Sequence, residues 1–450
     1  MVSEVAALDR AHVWHPYTQH GLPPTAVPIA RAEGALLFDE RGQPIIDAIS
    51  SWWVTLHGHA HPAIAGAIAD QAQRLEQVIF AGFTHEPAVR LAAELAALLP
   101  PSLSRVFFSD DGSTAVEVAL KIAIQYRRHR GGKRPRVAAL THAYHGDTFG
   151  AMSASAPSVF NAPFAEQLFD VVRLPAPASS GEGDDAALLE ALDAALSDPV
   201  EPLAAIIVEP LLQGAGGMRV WNADTLRAIR ERTTAAKTLL IADEVLTGFG
   251  RLGPLFACDA ADVRPDIICL SKGLTGGFLP LGVTVVREEL FDAFRSKDRR
   301  RALFHGHSYT ANPLACAAAL ASLTLLDERC AAQRSGIEAI HRTHLTRLSA
   351  HPWVRHPRVL GTVAAFDLVP PADAAGVHDY LAPLGQQLSA YALAAGVLLR
   401  PLGEVVYALP PYVITPEQLG RVYTVISDFL DALHRDGVPP VPAMASAHSA

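Results

Sequence analysis

The feature that most constrains the fold is a series of short apolar runs that alternate with helical patterns between about residue 60 and residue 325. Six runs have the length and composition of buried strands, at 106–109, 136–140, 204–209, 239–243, 267–270 and 282–286. Strands that alternate with helices form a mostly parallel sheet with helices on its faces. The sequence therefore predicts an α/β protein built on one large sheet.

Two of the six runs end in residues of opposite charge, which makes them candidates for a site. The run 239–243 ends in Asp243, and Lys272 closely follows the run 267–270. Ligands of open α/β sheets collect at the carboxyl ends of the strands, where both residues are expected. A buried lysine that loses its proton is a nucleophile, and a neighbouring acid can pair with a pyridinium nitrogen. These two residues alone fit a structural ion pair equally well.

A third candidate is the segment SDDGST at 109–114, between the first of these strands and a helix predicted over 113–130. Ser113 is expected to cap this helix, and Glu117 suits its first turn. Backbone N–H groups at the start of a helix bind phosphate readily, so an anion could sit at this segment. Most turns of this kind bind nothing, and the segment alone is weak support.

Composition limits the class of protein. The chain has 450 residues, 50% hydrophobic and 18% charged, with a formal net charge of -9. This length exceeds one simple core, and the absence of a basic block argues against nucleic acid as a partner. Four cysteines without C-x-x-C spacing are expected to be reduced core residues. No leader or membrane span is apparent in the sequence, which predicts a cytoplasmic protein without a membrane partner.

The pattern divides the chain into four parts. Residues 1–60 are expected to contribute to a small domain and to the site, and residues 61–325 to form the large domain. Residues 326–437 predict a small α+β domain, with strands at 363–368, 397–400 and 405–409 and a last helix capped by Thr415 and Gln418. Residues 438–450 are expected to be disordered. The stretch 175–183 predicts a surface loop.

Three patterns bear on other classes of protein. The segment 248–253 fits G-x-G-x-x-G, the fingerprint of nicotinamide-dependent oxidoreductases, but it does not directly follow a strand and Pro254 stands where a helix should open. We interpret this match as coincidental. His57, His59 and His61 alternate in a loop-like segment without a completing acid or cysteine, so no metal is expected. The sequence contains no G-x-S-x-G turn, which leaves an α/β-hydrolase unsupported.

Aromatic residues from scattered parts of the chain are candidates for pocket walls. They are Trp14, Tyr17, Trp52, Trp53, Tyr144, Tyr309 and Tyr407. Core packing is the usual reason for paired tryptophans such as those at 52 and 53. Arg400 ends a predicted strand of the second domain, where its planar guanidinium suits a substrate carboxylate. From the residues alone, a surface arginine remains an alternative.

Longer motifs carry a resemblance to a known family. HAYHG at 142–146, IADEVLTGFGR at 241–251, LSKG at 270–273 and HGHSYTANP at 305–313 resemble the class III, or ω-, aminotransferases. These are fold-type I pyridoxal phosphate enzymes. The resemblance implies a large domain with a mostly parallel mixed sheet flanked by helices, plus a smaller α+β domain. It also implies pyridoxal 5'-phosphate as the cofactor and a homodimer with active sites at its interface.

The resemblance further implies residue roles. Lys272 would attach the cofactor and move the substrate proton, Asp243 would pair with the ring nitrogen, and Tyr144 would stack on the ring. Gly112, Ser113 and the other subunit's copy of Ser308 would hold the phosphate. The substrate pocket would contain Tyr17, Trp52, Trp53 and Arg400, with Asp147, Gly306, Arg251 and Tyr407 as weaker assignments.

A second set of motifs resembles one branch of this family. HVWHPYTQ at 12–19, SSWW at 50–53, YHGDTFGAMS at 144–153, QGAGGMR at 213–219 and RPLG at 400–403 are similar to the branch that aminates 8-amino-7-oxononanoate in biotin biosynthesis, with S-adenosylmethionine as donor. Many relatives have a gating glutamate where this chain has Ala215. Another ω-aminotransferase, a donor such as lysine, an aminomutase or racemase on the same scaffold, the oxidoreductase and a non-catalytic binding protein remain alternatives.

Overall fold

The computed structural model describes residues 3–22, 26–132, 135–179, 185–200, 202–370, 380–437 and 439. Its strands are β1 Ile29–Glu33, β2 Leu36–Asp39, β3 Pro44–Asp47, β4 Leu103–Ser109, β5 Arg136–Leu140, β6 Val172–Leu174, β7 Leu203–Val208, β8 Leu212–Gln213, β9 Arg219–Val220, β10 Leu239–Asp243, β11 Ile267–Leu270, β12 Gly282–Arg287, β13 Val354–Leu360, β14 Val363–Leu368, β15 Val397–Leu398 and β16 Val405–Ala408. All six runs predicted as strands of the large sheet are confirmed, with ends displaced by at most a few residues.

The helices are α1 Glu4–His12, α2 Ser50–Trp53, α3 Pro62–Ala72, α4 Glu86–Leu98, α5 Gly112–His129, α6 Phe149–Ala154, α7 Ala186–Leu196, α8 Ala223–Ala235, α9 Ala257–Ala260, α10 Glu288–Asp292, α11 Pro313–Thr324, α12 Glu328–Leu348, α13 Pro383–Ala394 and α14 Pro416–Asp436. Short 3₁₀ turns occupy Ala162–Gln167, Lys272–Thr275 and Arg299–Arg301. Within the described residues, no helix is long and apolar enough to cross a membrane.

The central sheet has seven strands in the order β4-β12-β11-β10-β7-β5-β6. The five strands from β11 to β6 run parallel, whereas β12 is antiparallel to both β4 and β11. The prediction of a mostly parallel mixed sheet is confirmed. Because Asp243 pairs in register with Cys269, three residues before Lys272, both candidate residues lie at the same carboxyl edge.

Helix α5 packs its apolar stripe on one face of this sheet, and its start differs from the prediction. Asp111, rather than Ser113, caps it by accepting the Thr114 N–H at 2.8 Å, and the Thr114 hydroxyl completes a capping box. Ser113 is instead the second helical residue, with its hydroxyl 2.8 Å from that of Thr148. Asp111 takes the capping position because its backbone is extended, with φ -152° and ψ -178°, whereas Ser113 already lies inside the helix.

Three smaller sheets complete the described part of the fold, of which the smallest pairs β8 with β9. Of the other two, one has the order β1-β2-β3-β15, so the N-terminal strands pair with a strand near residue 398, and the second is β13-β14-β16. Strand β15 ends at Leu398, which corrects the predicted 397–400 and leaves Arg400 beyond the strand. The Thr415–Gln418 capping box of α14 is confirmed. The division at residues 60, 325 and 437 remains a proposal, and the tail from 438 lies outside the described residues except for Pro439.

Three other predictions have structural outcomes. The four cysteines are free and buried, as expected of reduced core residues. The segment 248–253 forms turns closed by a hydrogen bond from the Gly250 N–H to the Leu255 carbonyl, and no helix opens directly after it. Its geometry therefore differs from that of a dinucleotide fingerprint, in which the glycines lead straight into a helix. Of the predicted loop 175–183, residues 175–179 are described, without helix and with one isolated bridge at Ser179.

Candidate active site

A cavity of about 630 Å³ opens at the carboxyl edge of the central sheet. Its lining includes seven of the predicted site residues together with Glu209. These eight residues are Trp53, Gly112, Ser113, Tyr144, Asp147, Glu209, Asp243 and Lys272. Seven of them come from the carboxyl ends of β4, β5, β7, β10 and β11 or the loops that follow, which is where the topology of an open α/β sheet places ligand-binding residues, and Trp53 comes from the segment after β3 of a smaller sheet. The geometry therefore joins residues that are more than 200 positions apart in the sequence.

Lys272 stands at the floor of this cavity, at the start of the turn that follows β11. Its φ of +43° places a residue other than glycine in the left-handed region, a costly conformation that recurs at functional sites. Its Nζ lies 4.6 Å from the centroid of the Trp53 ring. Burial lowers the pKa of Lys272 to about 8, while Asp243 and Glu209 act in the opposite direction. The amine is thus uncharged, and nucleophilic, in a large fraction of molecules near pH 8.

Asp243 is buried at the end of β10, between the ends of β7 and β11. Its Oδ2 lies 2.7 Å from Nδ1 of the buried His145, and its Oδ1 accepts the Val245 N–H at 3.2 Å. These contacts fix the carboxylate while it still borders the cavity. A fixed buried carboxylate in such a place can hold a proton on a ring nitrogen of a bound ligand.

The loop before α5 and the loop at Gly146 form a shallow backbone cradle. A Cβ on Gly112 would lie 2.5 Å from Cγ1 of Val245, and a Cβ on Gly146 would lie 2.2 Å from Oγ of Ser113. Gly146 also has a φ of +128°, which side chains disfavour. The Asp111 cap takes the Thr114 N–H, whereas the N–H groups of Gly112 and Ser113 have no partner within the 18-residue helix, and both residues line the cavity. This arrangement suits a phosphate group.

Three polar side chains meet at the mouth of the cavity. The Tyr17 hydroxyl donates a short hydrogen bond to Asp147 and lies 3.3 Å from the Tyr144 hydroxyl. Burial, reinforced by Asp147, raises the pKa of Tyr17 to about 12. Burial likewise raises the pKa of Tyr144 far above its ordinary value. Both phenols therefore stay protonated at neutral pH and serve as neutral hydrogen-bonding walls.

The SSWW segment places its two tryptophans through an unusual backbone. Ser50, Ser51 and Trp53 all have φ between +53° and +68°, and the turn is held by Ser50 Oγ, which donates to the Leu409 carbonyl at 2.8 Å, and by Asp47. Trp53 is 4% exposed, whereas Trp52 is 37% exposed. The turn thus places the Trp53 ring against Lys272 and leaves the Trp52 ring at the rim. Backbone strain of this kind is common at binding sites.

Arg400 and Tyr407 join these aromatic residues. The Arg400 guanidinium carbon lies 4.7 Å from the centroid of Trp52, and Trp52 packs edge-on against Tyr17 at 5.3 Å. Tyr407 accepts the Trp53 Nε1–H at 3.0 Å. Among the residues that the structure describes, Arg400 makes no hydrogen bond or ion pair. The rim therefore presents an uncompensated guanidinium on an aromatic surface, as a carboxylate ligand requires.

Other predicted positions lie away from this cavity within one chain. Ser308 and Gly306 are exposed and are not among the described residues that line it, and the Ser308 carbonyl accepts a hydrogen bond from Gln77 at 2.7 Å. Trp14 and Tyr309 are also exposed. Arg251 is fully buried and donates to the carbonyl of Pro410 at 2.9 Å, so its contact is with the scaffold under the Trp53 turn.

Sequence reasoning missed Glu209 as a site residue. It follows β7, lines the cavity and is buried beside Asp243. The signal was present, because Glu209 ends an apolar run in the same way as Asp243 does. His145, which holds Asp243, was quoted in a motif but given no role, since its partner lies 98 positions away.

Comparison with known proteins places this geometry in context. The model of the family "Aminotransferase class-III" matches residues 17–430. The adenosylmethionine-8-amino-7-oxononanoate aminotransferase of Synechococcus elongatus is 52% identical over 428 residues, covering 94% of this chain and 99% of that protein. The enzyme of the same name from Nitratidesulfovibrio vulgaris is 39% identical, covering 97% of this chain and 83% of its own.

Solved structures show the same architecture. The crystal structure of adenosylmethionine-8-amino-7-oxononanoate aminotransferase from Methanocaldococcus jannaschii superposes with a TM-score of 0.88 at 31% identity, covering 94% of this chain and 98% of that one. An omega transaminase from Pseudomonas jessenii in complex with PMP gives 0.89 at 27% identity, with 95% and 98% covered. An amine transaminase from an uncultivated Pseudomonas species, in the PLP-bound form, gives 0.84 at 32% identity, with 92% and 97% covered.

Proposed function

We propose that this chain, which belongs to the class III aminotransferases, transfers an amino group to 8-amino-7-oxononanoate and so forms 7,8-diaminononanoate, with S-adenosylmethionine as the amino donor. The reaction is a step of biotin biosynthesis, and we place it in the cytoplasm. The cofactor is pyridoxal phosphate. The observation that carries the substrate assignment is the uncompensated Arg400 on the Trp52 ring, above a pocket with aromatic walls.

The cavity fits the cofactor at three points. A buried lysine, a fixed carboxylate and a glycine-lined phosphate cradle border one space of about 630 Å³. When bound, pyridoxal phosphate supplies an electron-accepting ring that stabilises the negative charge formed as the donor carbon loses its proton. In this proposal Lys272 attaches the cofactor, Asp243 keeps the ring nitrogen protonated, Gly112 and Ser113 hold the phosphate, and Tyr144 covers the ring.

In this proposal Lys272 would also be the residue that moves the substrate proton. Because burial lowers the pKa of Lys272 to about 8, its amine would be able to accept the proton from the donor carbon and to deliver it to the cofactor carbon. Trp53 lies directly against Nζ and limits the directions in which the amine swings. The same residue then serves the amination of the ketone in the reverse direction.

The acceptor is recognised by its apolar chain and by its carboxylate. 8-Amino-7-oxononanoate has a long apolar chain, which Trp52, Trp53 and Tyr17 cover, and a carboxylate at the far end, which Arg400 grips with its planar fork. Tyr407 fixes the Trp53 ring, and Asp147 fixes the Tyr17 hydroxyl. Ala215 leaves no carboxylate at that position to compete for Arg400.

The active form in this proposal is a homodimer. Ile79, Phe83, Phe304 and Tyr309 are exposed large side chains on two segments that contact each other, because Gln77 binds the Ser308 carbonyl. Such an apolar patch favours a second copy of the chain. Ser308 and Gly306, which are not among the described residues that line the chain's own Lys272 cavity, would then complete the partner's site.

The test is a mass-spectrometric assay of product formation. The purified protein is supplied with pyridoxal phosphate, 8-amino-7-oxononanoate and either S-adenosylmethionine or lysine, with Lys272→Ala as the matched control. We expect 7,8-diaminononanoate with S-adenosylmethionine and none from the variant. Product formation with lysine but not with S-adenosylmethionine would identify lysine as the amino donor instead. Amination of other ketones but not of this acid would identify a different ω-aminotransferase.

A further inference from the structure

We propose that Glu209 is a positioning residue, which ties the Tyr144 loop and the Gly214 loop to the floor of the cavity and places a second carboxylate beside Lys272. The inference rests on the proposed function only in taking Lys272 as the residue that attaches the cofactor. It assigns a role to a side chain that the mechanism above does not use.

The position of Glu209 follows from strand register. Strand β7 runs parallel to β10 with Val208 opposite Ala242, so Glu209 comes level with Asp243 at the carboxyl edge. Glu209 is 6% exposed and borders the same cavity as Lys272. Two neighbouring strands thus deliver two buried carboxylates to one lysine.

The carboxylate of Glu209 links two loops that approach from opposite sides. Its Oε2 accepts the Tyr144 N–H at 3.1 Å, and its Oε1 accepts the Gly214 N–H at 2.9 Å. The first bond holds the residue proposed to cover the cofactor ring. The second holds the turn that continues into Ala215. Because each oxygen accepts an N–H, the contacts suit the ionised form.

The charged groups around Glu209 are His145, Asp243 and Lys272, and Arg251 also acts on Lys272. Burial raises the pKa of Glu209 to about 7, so the group is largely ionised above that pH. An ionised Glu209 favours the positive form of the Lys272 nitrogen. Removing the charge should therefore make that nitrogen lose its proton at lower pH.

The experiment uses the cofactor-loaded enzyme without substrate. Its visible absorption spectrum, recorded against pH, reports protonation at the Lys272 nitrogen. For Glu209→Gln we expect the midpoint pH of this spectral change to fall by about one unit, because the amide is neutral and of nearly equal size. The amide also presents N–H to one of the two backbone donors, so thermal stability should fall as well.

Glu244 provides a matched control. It is also fully buried, accepts two backbone N–H groups, from Ala257 and Cys258, and has a pKa raised to about 7 by burial. It is not among the described residues that line the cavity. Glu244→Gln should lose stability without moving the spectroscopic midpoint. An equal shift in both variants, or no shift in Glu209→Gln, would overturn the proposal.

A second variant covers the case in which Glu209→Gln does not fold. Glu209→Asp keeps the charge and shortens the reach, so the midpoint should stay within about 0.3 pH units of the unaltered enzyme. A fall as large as one unit in this variant would contradict the charge argument. None of these measurements depends on which ketone is aminated, so their failure is distinct from failure of the proposed substrate.

Discussion

Replacing Arg400 with alanine should separate recognition of the acid from the chemistry at Lys272. The guanidinium stacks on the Trp52 ring at 4.7 Å and makes no hydrogen bond or ion pair with any described residue. Its loss therefore removes about 0.5–1 kcal/mol of cation–π contact at this partly exposed position. The bidentate grip on a substrate carboxylate is worth more, roughly 2–4 kcal/mol in transition-state binding. The expected fall in kcat/KM for 8-amino-7-oxononanoate is about thirty- to a thousandfold.

The assay compares the free acid with its methyl ester, which lacks the charge that Arg400 is proposed to bind. The unaltered enzyme should prefer the acid, and Arg400→Ala should use both about equally while retaining normal covalent attachment of the cofactor. Arg421→Ala is the control, because this exposed arginine makes only a long 3.5 Å hydrogen bond to the Ala395 carbonyl. Equal use of acid and ester by the unaltered enzyme would refute the pocket.

Three further predictions concern the cofactor site and the assembly. Asp243→Asn should retain the cofactor but lower turnover by a factor on the order of hundreds, because the charge that stabilises the protonated ring nitrogen is lost; near-normal single-turnover rates would exclude that role. Cofactor-free protein should capture pyridoxal phosphate faster as pH rises through about 8, since burial lowers the pKa of Lys272 and the uncharged amine is the nucleophile; a rise centred near 10.5 in stopped-flow measurements would contradict it. Sedimentation should show a homodimer, which Phe304→Glu weakens by placing a charge in an apolar contact; full activity in a sedimenting monomer would disprove the shared site.

The sequence predicts the central sheet well because its inner strands, β12, β11, β10, β7 and β5, are buried on both faces. Their continuous apolar runs, such as 203–208 and 239–243, indicate buried strands whichever strands lie next to them. The topology of parallel strands places Asp243 and Lys272 at one edge from the sequence alone. Strand β15 was less predictable, since only two residues of the run pair with β3 and the rest leave the sheet toward Arg400.

Side-chain partners were the part that sequence could not supply. Ser113 and Asp111 are both good caps by residue type, and only the backbone geometry shows that Asp111 takes the role. The contact between Tyr17 and Asp147 joins positions 130 residues apart, and its existence depends on how two loops fold over the sheet. For Glu209 the apolar run before it was a usable signal, but the contacts of its carboxylate with the Tyr144 and Gly214 loops could not be read from the sequence.

The most direct test of the account is to locate the cofactor on the chain. The chain has five lysines, Lys121, Lys133, Lys237, Lys272 and Lys297, and the account assigns covalent attachment to the one at the carboxyl edge of β11, beside Asp243. The loaded protein is reduced with sodium borohydride, digested and mapped by mass spectrometry. We expect the cofactor mass on Lys272 alone, at one per chain. A cofactor mass on any of the other four lysines, with Lys272 unmodified, would contradict it.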